Sequence, residues 1–170
     1  MAGTLTADDR HAIHELIYGY AWALDTGDVD GFVSCFSEDA LLVWDAFEEP
    51  TEWRGAEELR GFASFLRDLP TTAGRQHHVS NIIVRGDNQA ATAVSYVTVV
   101  LRQGDGPHPT TVMGWYDDAF VRLPDGWRIA RRVIRDWSGP VLAKLAGQTG
   151  ERVVRPRPAA LAGMKGRGAA

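Results

Sequence analysis

The sequence has a single cysteine, Cys35, among its 170 residues. Without a second cysteine no intramolecular disulfide can form, and no group of thiolates can hold a metal ion. No apolar run approaches the roughly 18 residues that cross a bilayer. The first residues also lack the basic stretch and apolar run of a secretion signal. These absences predict a cytoplasmic protein with no membrane partner.

A strong excess of one charge is missing as well. Lysine and arginine number 18 against 22 acidic residues, which gives a net charge of −4. Such mild acidity argues against a nucleic-acid partner. Neither the GxGxxG nor the GxxxxGK pattern occurs, and no internal repeat is present. The common glycine-rich nucleotide sites are therefore excluded, and we expect no cofactor.

The composition changes near residue 138. Residues 138–170 hold six of the 18 glycines and carry a net charge of +5, which leaves −9 for residues 1–137. A segment of this kind buries little apolar surface. We predict one domain over 1–137 and a basic, glycine- and proline-rich, partly mobile tail over 138–170, where Val141–Ala146 has the length of one or two helical turns. A solvated tail is favoured over one that folds back or reaches a neighbouring subunit.

Apolar residues recur at helical spacing in the first half of the chain and with a period of two in the second half. Thr6, followed by Asp8 and Asp9, has the pattern of a helix start. Gly27 ends that helix. In chain order the predicted elements are a helix over about 8–25, a short helix over 28–36, a strand over 40–44, a helix over 56–69, and strands over 78–85, 90–102, 110–123 and 127–137.

Helices that precede a run of long strands with short turns are typical of an α+β fold with an antiparallel meander. A long twisted sheet must cover its apolar face, and the N-terminal helices are the available cover. A curved sheet wrapped around helices forms a cone with an internal pocket. Such a pocket suits a small apolar ligand.

Three segments together carry a resemblance to a known family. They are IYGYAWALDTGDVDGFVSCFSEDALL (17–42), RQHHVSNIIV (75–84) and GWYDDAFVRLPDGWRIARRVIRDW (114–137). Over about residues 8–137 the chain resembles the SnoaL-like branch of the nuclear-transport-factor-2-like superfamily. The resemblance implies a cone-shaped, curved antiparallel sheet around three helices, usually dimeric. Its members include scytalone dehydratase, bile-acid dehydratase, dehydrochlorinase and polyketide cyclases, so fold alone does not decide the reaction.

The resemblance assigns a pair of residues to proton transfer. In dehydratase-like members an aspartate at the position of Asp25 faces the pocket and pairs with a histidine at the position of His77. A neutral imidazole can remove a proton from carbon, and a carboxylate on its other nitrogen fixes the tautomer. Asp25 as a helix cap beside an ordinary strand histidine is the simpler interpretation, but the resemblance favours the pair. His78 points to the opposite face of the strand, and a one-residue slip in register would exchange the two histidines.

Three further polar residues are candidates beside this pair. Tyr20 matches the tyrosine five residues before the aspartate in the bile-acid-dehydratase pattern, where it would donate to the leaving group or carbonyl. Tyr18 lies seven residues before Asp25, almost on its helical face. Packing in the core is an equal alternative for Tyr20. Asn81 shares the face of His77 if the strand is regular, and would orient a substrate oxygen. A hydrogen bond that closes the entry of the strand is an equal alternative for Asn81.

Aromatic residues at strand spacing are candidates for the pocket wall, although such residues more often form a core or an interface. Arg132 would stabilise an anion if it reached the cavity, but a solvated sheet face is the simpler interpretation. The five histidines do not predict a metal site, because His11 and His14 alone are weak support. The predicted wall residues are Trp44, Tyr96 and Trp115.

These residues predict a cofactor-independent lyase-type enzyme, a dehydratase, cyclase or isomerase of the kind found in secondary metabolism. Asp25 and His77 would remove a carbon-bound proton from a small apolar substrate that is cyclic or polyketide-like. We expect a homodimer or homotrimer. The alternative is a non-catalytic ligand-binding member, or the small subunit of a ring-hydroxylating dioxygenase.

Overall fold

The computed structural model describes residues 3–102, 104–136, 154, 156–164 and 166–168. Two short 3₁₀ turns accompany the regular elements, at Pro70–Thr72 and Ala159–Leu161. The helices and strands are α1 (Ala7–Thr26), α2 (Val29–Ser34), β1 (Phe36–Trp44), β2 (Thr51–Arg54), α3 (Gly55–Asp68), β3 (Arg75–Gly86), β4 (Ala90–Leu101), β5 (Thr110–Leu123), β6 (Gly126–Asp136) and β7 (Arg167–Gly168).

Helix α1 begins and ends at the residues that its sequence indicates. The Thr6 hydroxyl accepts from the Asp9 N–H at 3.1 Å, and the Asp9 carboxylate accepts from the Thr6 N–H at 3.0 Å. This capping box satisfies two N–H groups that a helix start leaves free. Gly27 adopts φ 74°, a left-handed conformation that stops the helix. Asp25 therefore lies in the last turn of α1.

Acid is expected to weaken the start of α1. Hydrogen bonds from Thr6 and from the Trp127 indole, together with the charge of Arg122, lower the pKa of Asp9 from 3.8 to about 2. A carboxyl group whose pKa is lower in the folded state than in the unfolded state stabilises the fold at pH values above its unfolded-state pKa. That stabilisation is lost as the pH falls toward 2. Urea unfolding measures the free energy of unfolding of the wild type and of Asp9→Asn. The difference between the two proteins should shrink as the pH is lowered from about 6 to about 2. A difference independent of pH would contradict the assignment.

The strands form one mixed sheet in the order β3-β4-β5-β6-β1-β2-β7. Strands β3 to β6 are an antiparallel meander, as predicted, and β1 pairs in parallel with β6, with Trp44 opposite Ile134. The parallel pair was not predicted, because β1 and β6 are separated in the sequence by β2, α3 and the strands β3 to β5. The α+β class and the curved sheet around helices are confirmed.

The helices pack on the inner face of the sheet. Helix α1 lies against β3 and β6, and α3 lies against α2 and β1. Their inward side chains merge with those of the strands into one apolar core. Aromatic rings pack at its centre, where Tyr20, Phe32 and Phe36 lie with centroids 5.1–5.9 Å apart. Within the described part of the chain, no helix combines the length and apolar character needed to cross a membrane.

Part of the tail packs on the domain. Leu161 and Met164 are buried in the core, and Gly168 pairs with Thr51 of β2. Apolar side chains among the tail's glycines and prolines explain this contact, since they bury surface on the domain. The predicted helix at Val141–Ala146 lies outside the described residues. The domain boundary at residue 137 remains a prediction.

Candidate functional site

Asp25 and His77 are in direct contact. The Asp25 Oδ1 lies 2.5 Å from the His77 Nδ1, and the Asp25 Oδ2 accepts from the His77 backbone N–H at 2.8 Å. The two side chains are 17% and 11% exposed, respectively. Because Nδ1 is held by the carboxylate, Nε2 is the nitrogen left for a ligand. A neutral imidazole in this arrangement carries its proton on Nδ1 and has a free lone pair on Nε2.

His77 lines an internal cavity of about 220 Å³. This volume is below the roughly 300–1,000 Å³ of pockets for drug-sized ligands, so it suits a molecule of one or two rings. Few polar groups reach the cavity, and Asp25 stands behind His77 rather than in the wall. Most of the wall is aliphatic, from Leu24, Leu66, Val97, Val99, Leu101 and Ile134.

A charged pair lies beside two tyrosines of the cavity wall. The Arg132 guanidinium donates to both carboxylate oxygens of Asp118 at 2.7 and 2.6 Å, and both side chains are fully buried. The guanidinium carbon lies 4.0 Å from the ring centre of Tyr20 and 4.1 Å from that of Tyr116. Burial raises the pKa of Tyr20 to about 12, so its hydroxyl is protonated at neutral pH. Among the described residues that hydroxyl has no hydrogen-bond partner.

Arg75 is a cavity residue that the sequence did not reveal. Its guanidinium donates to the Leu24 carbonyl at 2.6 Å, to the Leu66 carbonyl at 2.8 Å and to the Thr72 hydroxyl at 2.6 Å. It thus ties the ends of α1 and α3 to β3 and positions the turn that carries Asp25. Desolvation lowers the pKa of Arg75, against the opposing charge of Asp25. No sequence signal distinguishes it, because its partners are mainly backbone carbonyls.

The structure brings four of the predicted residues together: Asp25, His77, Tyr20 and Trp44. Trp44 lines the cavity, and its buried indole N–H has no hydrogen-bond partner within the described residues. His78 is exposed on the other face of β3, so the alternative register does not occur. The roles of these residues stay predictions.

Three other predicted residues face away from the cavity. Tyr18 is 46% exposed, since two residues rotate a helix by about 200° from Tyr20. Tyr96 is 39% exposed and is paired in register with Trp115 on the outer face of the sheet. The guanidinium carbon of Arg135 lies 5.6 Å from the ring centre of Trp115. The predictions that Tyr18, Tyr96 and Trp115 line the pocket are therefore not supported by their positions.

Asn81 and Arg132 also differ from expectation. Strand β3 shifts register against β4 between Ser80 and Ile83, and Asn81 adopts φ 53° at this bulge. The extra residue reverses the alternation of side chains, so Asn81 is exposed while His77 faces inward. Arg132 does point inward, but it lies against Asp118 rather than in the cavity wall. Neither residue is placed to contact a ligand in the cavity.

A metal centre finds no support among the side chains that the structure describes. They contain no group of three or more histidine, cysteine, aspartate and glutamate residues close enough to hold an ion. Cys35 is buried, and desolvation raises the pKa of its thiol to about 11. It is therefore protonated and unreactive at neutral pH.

Residues 5–133 match a family model described as a SnoaL-like domain. An uncharacterised protein of Mycobacterium tuberculosis is 31% identical over 135 residues, which cover 78% of this chain and 88% of the relative. The solved structure of a proposed aromatic ring hydroxylase from Novosphingobium aromaticivorans superposes with a TM-score of 0.69 at 27% identity, covering 80% of this chain and 94% of that one.

A proposed scytalone dehydratase from the same organism has a TM-score of 0.66 at 21% identity. The superposition covers 86% of this chain and 91% of that one, and at this identity it shows a shared fold only. Solved structures with a cystatin-like fold are among the matches. The chain thus shares the architecture of these solved structures.

Proposed function

This chain belongs to the SnoaL-like domain family, and on that premise we propose that it is a cofactor-independent lyase-type enzyme. A single observation carries the proposal: the Asp25 carboxylate holds the Nδ1 of His77, whose imidazole lines a largely apolar cavity. An ordinary structural histidine has no need of both a partly buried carboxylate on one nitrogen and a cavity beside its ring. The pair is the arrangement that general-base catalysis requires.

In the proposed reaction, His77 Nε2 takes a proton from a carbon next to a carbonyl. The electrons of the C–H bond move onto the carbonyl oxygen and form an enolate. Asp25 stabilises the imidazolium that results, and the apolar walls strengthen this attraction by lowering the local dielectric. The Tyr20 hydroxyl, which is protonated at neutral pH, donates a hydrogen bond to the enolate or to the leaving oxygen.

Three reactions diverge after the first proton transfer. A dehydratase passes the proton from His77 to a hydroxyl on the next carbon, which leaves as water. An isomerase returns the proton to another carbon. A cyclase uses the enolate carbon to attack a second carbonyl carbon of the substrate, which closes the ring, and His77 returns the proton to the oxygen of that carbonyl. The cavity volume and its aliphatic walls support a small apolar substrate of one or two rings for any of these.

A second candidate function is that of a small subunit in a ring-hydroxylating oxygenase. The similarity to the proposed aromatic ring hydroxylase favours it. Such a subunit would need a partner that carries the metal, whereas an enzyme of the first kind would be active as a homodimer or homotrimer. The Asp25–His77 contact favours the enzyme, because a passive subunit does not require it.

Solvent deuterium exchange tests the first function without knowledge of the natural substrate. We expect the wild-type protein to accelerate exchange of the α-protons of 1-tetralone or 2-tetralone in D₂O, followed by NMR. His77→Ala should lose this activity, and His78→Ala should retain it, because His78 is exposed on the opposite face of the same strand. Exchange at the buffer rate with both ketones, or equal rates for wild type and His77→Ala, would contradict the proposal.

A further inference from the structure

Residues 156–164 and 166–168, here called the C-terminal strap, lie beyond the family match at residues 5–133. The strap nevertheless reaches the cavity. Pro158, Ala160 and Leu161 line it together with His77, and Leu161 is only 6% exposed. One part of the cavity wall is thus supplied by a segment that the family domain does not include.

The strap contacts the domain through β7, through Arg157 and through the buried side chains of Leu161 and Met164. Among the residues that the structure describes, Arg167 and Gly168 of β7 pair with β2. The Arg157 guanidinium donates to the Thr51 hydroxyl and lies 5.2 Å from the ring centre of Phe47. Strand β7 lies at the edge of the sheet, and an edge segment paired with one strand opens at a lower free energy than the central strands do.

Gly166 packs closely against β2. A Cβ at this position would lie 2.4 Å from the Thr51 Cγ2 and 2.9 Å from the Glu52 carbonyl oxygen. Only glycine fits without displacing the strap from β2. At Gly163 a Cβ would approach only the Phe65 ring, at 3.4 Å, which is an ordinary contact. The two glycines therefore offer a disruptive and a tolerated substitution within one segment.

We propose that the C-terminal strap is the movable wall of the cavity and that Leu161 sets the size of the ligand. A ligand reaches His77 when the strap leaves β2, and Leu161 closes over it when the strap returns. The inference rests on the proposed function for the chemical class of the ligand. Access to His77 and binding are measured without turnover, so failure of the proposed chemistry leaves this inference separately testable.

Carbethoxylation by diethyl pyrocarbonate, mapped by mass spectrometry, reports access to each histidine. In Gly166→Ala the rate at His77 should rise roughly tenfold, because overpacking shifts the docking equilibrium of the strap. Gly166→Val should raise it further, and Gly163→Ala should leave it at the wild-type value. His78 is exposed in all forms and serves as the internal reference. An unchanged rate at His77 in both Gly166 variants would overturn the proposal.

Ligand size is tested with Leu161→Ala, using tryptophan fluorescence to measure Kd for the two-ring 1-tetralone and the three-ring 9-fluorenone. The Kd ratio should shift by roughly tenfold toward 9-fluorenone, as expected when a pocket gains the space of a few methylenes. Met164→Ala removes a buried strap side chain that does not line the cavity and should leave the ratio unchanged. The same ratio in Leu161→Ala as in wild type, or an equal shift in Met164→Ala, would overturn the assignment.

Discussion

Replacing His77 by alanine, or Asp25 by asparagine, is expected to reduce the rate of carbon-proton removal by about 10²–10⁴-fold. The first change removes the base itself. The second keeps the shape of the side chain but removes the negative charge that stabilises the imidazolium and selects its tautomer. Because the Asp25 Oδ1 lies 2.5 Å from the His77 Nδ1, the two residues should behave as one unit. Rates of deuterium exchange into 1-tetralone measure the effect.

The double variant sharpens this prediction. If the pair acts as a unit, Asp25→Asn combined with His77→Ala should lose little more than the worse single variant. If the loss of rate in the double variant equals the product of the losses in the two single variants, the two residues act independently, contrary to the mechanism. His78→Ala is the matched control, and circular dichroism of each variant verifies that the fold is retained. Nearly wild-type exchange in His77→Ala would exclude His77 as the base, and nearly wild-type exchange in Asp25→Asn would exclude Asp25 as the group that stabilises it.

Replacing Arg132 by methionine is expected to lower the free energy of unfolding by about 3–5 kcal/mol. The Arg132 and Asp118 side chains are fully buried, so removal of the cation leaves a desolvated carboxylate without a partner. The variant also loses the guanidinium packed between the rings of Tyr20 and Tyr116. Urea denaturation at neutral pH measures the change.

Two further variants distinguish the buried charge from simple packing. Arg132→Met combined with Asp118→Leu removes both charges and should recover most of the loss, since an apolar pair can replace a buried ion pair. Arg128, which lies on β6 like Arg132, forms an ion pair with the exposed Asp125 of the preceding turn. Arg128→Met disrupts that pair and should cost at most about 1 kcal/mol. A loss for Arg132→Met as small as that for Arg128→Met would show that the buried pair contributes little.

The local sequence pattern was sufficient to predict helices and strands that depend on residues close together in the chain. The helix predicted over 8–25 is α1, Ala7–Thr26, and the strand predicted over 110–123 is β5. Capping residues, helical spacing and two-residue alternation are properties of short segments, so they are readable without the fold. The pairing of Asp25 with His77 needed the family resemblance, because 52 residues separate them.

Contacts between distant segments were decided only by the tertiary structure. A bulge in β3 turned Asn81 outward, which the regular alternation of a strand does not predict. Arg75 holds the ends of two helices through their carbonyls, which every residue possesses and no pattern marks. Leu161 of the strap lines the cavity because apolar residues in a glycine- and proline-rich tail bury surface on the domain. Local pattern predicted the α+β class, the three helices and the long strands, but it did not predict β2 or β7. Which side chains meet around the cavity depended on packing between segments far apart in the chain, where register and burial, not local preference, set the outcome.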